Sequence, residues 1–188
     1  SLRSQPKASP VIYVQGDMDL FGEQGMVVVG TRELEDKLDI EEGKKVVQRL
    51  LDQNYVIVSG LAQGCDTLAH QYAIENGGKT IAVLGTPLDK YYPSQNKNLQ
   101  NQIAKEHLLA SQFPIGMRTF PPYFAHRNRT VVSLASEGVV VIRAGDRSGT
   151  QHAIRIGLEQ DKELYVLKNN FNHKYEWVEK LKGQYKVP

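Results

Sequence analysis

The chain has 188 residues, of which 23 are basic and 21 acidic, so its formal net charge is only +2 at pH 7. This length suits one well-packed domain and leaves too little sequence for two cores of ordinary size. The near balance of charge does not indicate a nucleic-acid binder, as a strongly basic composition would, so any such signal must be local.

The cysteine content and the hydropathy of the chain indicate the cellular compartment in which the protein works. The single cysteine, Cys65, excludes an internal disulfide framework and a Cys-based zinc site, and it fits a reducing cytoplasm. No apolar run reaches the roughly 18 residues of a membrane helix, and the first ten residues lack the apolar core of a signal peptide. We therefore expect a soluble cytoplasmic protein with no membrane partner, in which residues 1–9 are a tag or linker remnant.

Short apolar runs alternate with helical stripes along the chain. The predicted strands are 11–14, 26–29, 56–58, 80–84, 108–110, 139–142 and 164–167, and the predicted helices are 39–53, 65–75, 99–106, 127–136 and 150–160. This alternation predicts right-handed βαβ units. We expect an α/β, Rossmann-like three-layer domain over residues 10–170, with a mostly parallel sheet flanked by helices. Residues 171–188, which include Trp177, are expected to form a C-terminal helix or a linker.

Glycine-rich loops follow four of the predicted strands, at residues 30–32, 59–64, 85–87 and 143–150. Ligands of parallel α/β sheets bind outside the carboxyl ends of the strands, where these loops should converge. Glycine lets a ligand approach the backbone, and a helix that starts after such a loop directs its N–H groups at an anion. A tight turn also requires glycine, and for any single loop this simpler explanation weighs equally. The convergence of several loops favours an anion site.

Arginines concentrate in the second half of the chain. Six of the nine lie between positions 114 and 160, where there are three acidic residues and no lysine. Arginine around glycine-rich loops is typical of bidentate phosphate recognition, and we expect Arg32, Arg127 and Arg129 to bind phosphate. The rings of Phe120, Tyr123 and Phe124 could stack on bases, although core packing explains the first two equally well.

These patterns together predict a site for the phosphates of single-stranded DNA. The residues assigned to it are Gly30, Thr31, Arg32, Ser59, Gly60, Gly64, Phe124, Arg127, Asn128, Arg129, Arg147, Ser148, Gly149 and Thr150.

The same residues carry a resemblance to the DprA/Smf family of DNA-processing proteins, which extends from Pro10 to Leu167. Val29-Gly30-Thr31-Arg32 is similar to the family's Gly-Ser-Arg signature with threonine for serine, and residues 59–70 are close to its longest motif. Further similar stretches are residues 10–17, residues 78–85, Phe124 with residues 127–129, and residues 147–150.

The resemblance implies a homodimer that binds single-stranded DNA without sequence preference and helps load the RecA recombinase in natural transformation, competence or DNA recombination. Three positions depart from the family pattern. Gln63 and His126 stand where arginine is usual, and Arg143 stands where glutamate is common. The charge distribution of the pocket is therefore expected to differ from that of its relatives.

An enzymatic alternative comes from the loop 144–150, which also resembles the phosphate loop of the LOG-type (SLOG) nucleotide-processing phosphoribohydrolases. Those enzymes carry a glutamate shortly after the Gly-Thr pair, whereas Gln151 and His152 follow here. A nucleotide-binding or nucleotide-processing protein thus remains the alternative to a DNA binder. A dinucleotide-dependent oxidoreductase is rejected, because the turn after Val29 lacks the spaced glycines of that fingerprint.

No catalytic residue, cofactor or metal site emerges from the remaining candidates. Asp66 and His70 lie four positions apart on one predicted helix face and could form an acid–base pair or two metal ligands, but no third ligand has a recognisable spacing. We interpret Asp66 as a first-turn residue and His70 as its hydrogen-bonded partner. Cys65 is interpreted as a small core residue.

Overall fold

A computed structural model describes residues 11–188. The predictions for residues 1–9 and for Pro10 lie outside this part of the chain. The strands are β1 (Tyr13–Gly16), β2 (Gly25–Val29), β3 (Val56–Ser59), β4 (Thr80–Leu84), β5 (Leu108–Ser111), β6 (Gly138–Val141) and β7 (Glu163–Val166). The α-helices are α1 (Lys37–Asp52), α2 (Cys65–Glu75), α3 (Lys97–Glu106), α4 (Pro122–Leu134), α5 (Thr150–Glu159), α6 (Asn169–Asn172) and α7 (Glu176–Lys180).

The seven strands form one sheet in the order β1-β5-β4-β3-β2-β6-β7. All neighbouring pairs are parallel except β1 with β5. From β2 the chain proceeds through β3, β4 and β5 on one side, and then crosses to β6 and β7 on the other. The predicted α/β class with a mostly parallel sheet is confirmed. The switch in direction between β2 and β6 is the point at which such sheets bind ligands.

Strand β2 lies inside the sheet between β3 and β6, and it is buried along its whole length, as its unbroken apolar run predicts. Val27 belongs to the core on one face of the sheet, and Val28 belongs to the core on the other. Helix α1 closes one face, with Val46, Val47 and Leu50 buried. Its first turn is capped by Asp36, whose carboxylate accepts hydrogen bonds from the N–H groups of Leu38 and Asp39. The capped first turn of α1 follows the loop that leaves β2 at the carboxyl end of that strand.

The largest difference from the predicted boundaries concerns α4. We expected this helix over residues 127–136, but it begins five residues earlier, at Pro122. Proline and aromatic residues suggest a loop, yet proline has a backbone angle suited to the first turn of a helix and needs no N–H partner there. The earlier start carries Phe124 onto the same helix as Arg127.

The C-terminal segment, residues 169–188, packs against the sheet end. Trp177 is buried, its indole N–H donates to the carbonyl of Ala144 at 2.6 Å, and its backbone N–H donates to Asp146 at 3.0 Å. Farther on, Lys186 forms a backbone bridge beside β7. The segment therefore contacts the loop that follows β6. Within residues 11–188, no helix is both long enough and apolar enough to cross a membrane.

Candidate functional site

An open cleft of about 600 Å³ lies at the switch point, between the loop after β2, helix α4 and the loop after β6. Ten of the fourteen predicted site residues line it: Gly30, Thr31, Arg32, Phe124, Arg127, Asn128, Arg147, Ser148, Gly149 and Thr150. The four that do not are Ser59, Gly60, Gly64 and Arg129. The fold therefore brings together three segments whose outermost lining residues, Val29 and Ala153, are 124 positions apart in the sequence.

Two exposed arginines stand at the rim of the cleft. Arg32 follows β2 and Arg147 follows β6, and both side chains are accessible to solvent. The guanidinium carbon of Arg32 lies 5.9 Å from the centroid of the Phe124 ring, which is within the range of a cation–π contact. Two exposed cations and an aromatic ring therefore line the same cleft.

Arg127 forms the floor of the cleft. Its side chain is buried, and its Nη1 atom lies 4.0 Å from the Oδ2 atom of Asp66, which is also buried. The same carboxylate oxygen accepts hydrogen bonds from the backbone N–H groups of Gly60 and Ala62, at 3.2 and 3.3 Å. Asp66 thus holds the loop after β3 by two hydrogen bonds and forms an ion pair with Arg127.

The burial of this pair affects both ionisations. Burial raises the pKa of Asp66, and the charge of Arg127 together with the two backbone donors opposes that rise. Burial likewise lowers the pKa of Arg127, which the charge of Asp66 opposes. Arg127 keeps its charge at neutral pH because the ordinary pKa of a guanidinium is so high, and this charge favours the ionised form of Asp66.

The glycines of the β3 loop make room for site side chains and do not line the cleft themselves. A Cβ atom at Gly60 would overlap the guanidinium of Arg127, so this arginine can occupy the floor only because residue 60 has no side chain. Gly60 instead lines an adjoining recess. Gly64 has a φ of +74° and lies against the carbonyls of Thr31 and Arg32. Ser59 is buried, and its hydroxyl donates to the carbonyl of Val28 at 2.6 Å.

The loop after β6 is held in place from both sides. On the cleft side, the hydroxyl of Thr150 donates to the carbonyl of Gly30 at 2.9 Å, and that of Ser148 donates to Thr150. On the opposite side, Asn170 accepts a hydrogen bond from the N–H of Ala144 at 3.0 Å, next to the contacts of Trp177. The position of Arg147 is therefore set by the hydroxyls in front of the loop and by the C-terminal segment behind it.

Arg129 lies away from the cleft, in contrast to its predicted place beside Arg127. Its Nη2 atom donates to Glu159 at 3.0 Å, on the side where α4 packs against α5. An α-helix turns by about 100° per residue, so positions 127 and 129 face in nearly opposite directions. Within α4 the cleft is lined by residues 124, 125, 127 and 128, which share one helix face.

The three departures from the family pattern have different surroundings. Arg143 donates to the buried carboxylate of Asp39 at 2.7 Å, so its charge is compensated away from the cleft. Gln63 is exposed and lines the adjoining recess, and His126 is an exposed residue of α4. The cationic character of the cleft itself therefore rests on Arg32 and Arg147, because Arg127, like Arg143, is paired with a buried carboxylate.

The prediction that Asp66 bonds to His70 is wrong. The Nδ1 atom of His70 lies 2.6 Å from the hydroxyl oxygen of Thr80, and that hydroxyl donates its proton to the carbonyl of Ile57. His70 therefore carries its own proton on Nδ1, and burial lowers its pKa to about 3. The buried thiol of Cys65 is a core residue, as predicted, and burial raises its pKa to about 12. Among residues 11–188, no cluster of three or more His, Cys, Asp or Glu side chains could hold a metal ion.

Several lining residues were absent from the predicted site. Pro121 and Ala125 lie one turn from Phe124 and Asn128 on α4, and helical spacing would have found them once the helix start was known. Glu33 and His152 also line the cleft, beside the glycine loops. Tyr92 lies in the loop after β4, its ring centroid 4.8 Å from that of Phe124. The sequence signal that could have identified Tyr92 is an aromatic residue in a loop that follows the carboxyl end of a strand.

Comparison with known proteins places this chain in a family. The family model for DNA recombination-mediator protein A matches residues 1–181. The DNA processing protein DprA of Streptococcus pneumoniae is 39% identical over 160 residues, which cover 85% of this chain and 56% of that protein. The chain thus spans about half the length of the curated relatives it matches.

Two solved structures are similar over nearly the whole chain. The X-ray structure of S. pneumoniae DprA has a TM-score of 0.89 at 34% identity, and the match covers 100% of this chain and 66% of the DprA chain. The Helicobacter pylori DprA structure, described as revealing a single-stranded DNA binding mode, has a TM-score of 0.86 at 28% identity, over 97% of this chain and 84% of that one. By its sequence and its fold, the chain belongs to the DNA recombination-mediator protein A family, the DprA/Smf DNA-processing proteins.

Proposed function

We propose that the cleft binds the sugar–phosphate backbone of single-stranded DNA, without sequence preference and without catalysis. The observation that carries this proposal is the arrangement of Arg32 and Arg147 at the rim, with the Phe124 ring against Arg32. Guanidinium groups can pair with successive phosphates, and an aromatic face accepts any base. The H. pylori relative, whose structure is described by its single-stranded DNA binding mode, supports the same ligand here.

The three cleft arginines differ in exposure and in charge pairing, so we expect them to have different roles in binding. Arg32 and Arg147 are exposed and can form direct contacts with phosphate. Arg127 is buried and already paired with Asp66, so it forms the floor of the cleft and adds little net charge to it. Two carboxylates, those of Glu33 and Asp66, also line the cleft. We therefore expect the exposed arginines to supply most of the phosphate affinity.

The test compares binding of labelled oligo-dT and of duplex of equal length by fluorescence anisotropy. Arg32→Ala and Arg147→Ala should each weaken oligo-dT binding about tenfold or more, since each removes a charge-assisted contact to phosphate. The matched control is Arg49→Ala, an exposed arginine on α1 outside the cleft, which should change affinity by less than twofold. The assignment of the cleft would be refuted if Arg32→Ala and Arg147→Ala both bound oligo-dT as tightly as the control variant and the unchanged protein do.

The alternative ligand is a small nucleotide, which a cleft of about 600 Å³ is large enough to hold. Isothermal titration with nucleoside monophosphates, followed by assay for the free base, separates the two functions. Tight binding or hydrolysis of a mononucleotide, with no measurable oligo-dT binding, would replace the DNA proposal with the nucleotide-processing one.

We propose further that this chain acts as a homodimer in the cytoplasm, protects single strands and helps load the RecA recombinase during recombination or natural transformation. Membership of the recombination-mediator family supports this role. The test measures the ATPase rate of RecA on DNA coated with single-strand binding protein, with and without this protein. A faster rate in its presence would support loading, and an unchanged rate would contradict it. Sedimentation equilibrium measures the dimer, and a monomeric mass at micromolar protein would exclude it.

A further inference from the structure

A recess adjoins the cleft and continues it toward the loop after β4. Its lining includes Arg32, Phe124 and Arg127, which also line the cleft, and adds Gln63 and Tyr92. The two spaces therefore share a wall, and a polymer whose phosphates occupy the cleft passes over the recess when it leaves on this side.

Tyr92 presents an aromatic ring at the outer edge of this recess. The residue is 53% exposed, although its ring packs at 44° against Phe124 with centroids 4.8 Å apart. Phe124 contacts the Arg32 guanidinium in turn, so a cation and two rings follow one another in a row. About half of Tyr92 therefore remains accessible to a base while its ring stays packed against Phe124.

The loop that carries Tyr92 is fixed to the core by buried amides. Asn96 is buried, and its Nδ2 atom donates to the carbonyl of Leu61 at 3.0 Å and to the hydroxyl of Thr67 at 2.8 Å. The side chain of Gln100 donates to the carbonyls of Leu88 and Lys90. Tyr92 is therefore held before any ligand binds, which limits the entropy lost when a base stacks on it.

A second ring and a cation lie next to Tyr92 along the chain. Tyr91 is 41% exposed, its hydroxyl donates to Asn101 at 3.0 Å, and the Lys97 ammonium lies 5.2 Å from its ring centroid. Aromatic rings alternating with cations are the usual surface for single strands, because bases stack while phosphates pair with the charges. The surface from Phe124 through Tyr92 to Tyr91 and Lys97 has this composition.

We propose that Tyr92 is a base-stacking residue for the nucleotide adjacent to the cleft, and that the bound strand leaves the cleft over Tyr92 toward Lys97. This inference rests on the proposed function, because it requires the phosphates of the same strand to lie in the cleft. It adds a contact to the base, whereas the cleft arginines contact phosphate.

The test uses two oligonucleotides of equal length: oligo-dT and a fully abasic strand that keeps the phosphates but has no bases. Tyr92→Ala should weaken oligo-dT binding about 5- to 100-fold and leave binding of the abasic strand unchanged. Tyr92→Trp should restore oligo-dT binding, because it restores a stacking face. Tyr13→Ala, on the edge strand β1, is the matched control and should bind both strands as the unchanged protein does.

Two outcomes would overturn the inference. One is oligo-dT binding by Tyr92→Ala within twofold of the unchanged protein, and the other is an equal loss for both strands, which would make the ring a support for Phe124 only. Failure of the proposed function gives a different result, in which Arg32→Ala does not weaken binding of either strand.

Discussion

The buried pair between Asp66 and Arg127 gives the most specific prediction about the architecture of the cleft. Arg127→Met keeps the volume of the side chain but leaves the carboxylate of Asp66 buried without its cation. At the observed separation of 4.0 Å, an effective dielectric constant of about 20 gives a lost attraction of about 4 kcal/mol. Breaking one partner of a buried pair costs about 3 to 5 kcal/mol in general. We therefore expect a loss of about 4 kcal/mol of stability at pH 7.5.

Urea unfolding followed by tryptophan fluorescence measures this loss, since Trp177 is the single tryptophan and is buried. The double variant Arg127→Met with Asp66→Asn should recover a large part of the stability, because it leaves no unpaired charge. The matched control is Lys44→Met, which breaks an exposed ion pair with Glu41 and should cost less than about 0.5 kcal/mol.

The pH dependence of Arg127→Met is a second readout of the same pair. Without Arg127 the folded-state pKa of Asp66 rises further above its unfolded value, so the missing stability should return as pH falls and the carboxyl is protonated. A loss below about 1 kcal/mol at pH 7.5, or a double variant no more stable than the single one, would refute the assigned pairing.

Three further predictions concern groups behind the cleft. Since burial raises the pKa of Cys65 to about 12, this thiol should resist a disulfide reagent at pH 8 in the folded protein and react fully in urea; rapid reaction of the native thiol would contradict its burial. Burial lowers the pKa of His70 to about 3, below the roughly 6.5 of an unfolded chain, so the unfolded state binds the proton first and stability falls with pH below about 6.5. Urea midpoints should show about 2 kcal/mol lost to this group by pH 5, and the loss should be smaller in His70→Gln; equal profiles would exclude His70 as the cause. Asn170→Ala removes the acceptor for the N–H of Ala144, so it should lower the stability by about 2 kcal/mol. It should also weaken oligo-dT binding, because the loop that carries Arg147 loses a support. If both the stability and the affinity were unchanged, the C-terminal segment would not support this loop.

The sheet and the position of the cleft could be predicted from the sequence. The run of valines in β2 can be buried only where both faces of a strand are covered, and its alternation with helices implies parallel neighbours. Ligand loops then follow from the rule that strand ends converge at the switch point. The start of α4 could not be read in the same way, because Pro121 and Pro122 are equally typical of a loop and of a first helical turn.

The roles of individual glycines were only partly predictable. Glycine was expected to let a ligand approach the backbone, whereas Gly60 makes room for Arg127, and Gly85 makes room for the ring of Phe124. The sequence shows that a side chain is missing but does not show what fills the space. That depends on contacts between segments far apart in the chain, such as the one between Gly60 and Arg127.

The arginines illustrate the same limit. Proximity in sequence predicted that Arg127 and Arg129 act together, but the phase of α4 separates them, and burial makes Arg127 a partner of Asp66. Arg32 and Arg147 lie 115 positions apart, yet both line the cleft. Helical phase could be inferred once the start of α4 was fixed, whereas burial required the packed structure.

A crystal structure of the protein with a short oligo-dT would show where the strand binds. We expect its backbone phosphates to lie within hydrogen-bonding distance of Arg32 and Arg147 at the switch point between β2 and β6, above the buried Asp66–Arg127 pair. A strand bound on any other face of the protein, with this cleft occupied by solvent alone, would contradict this expectation.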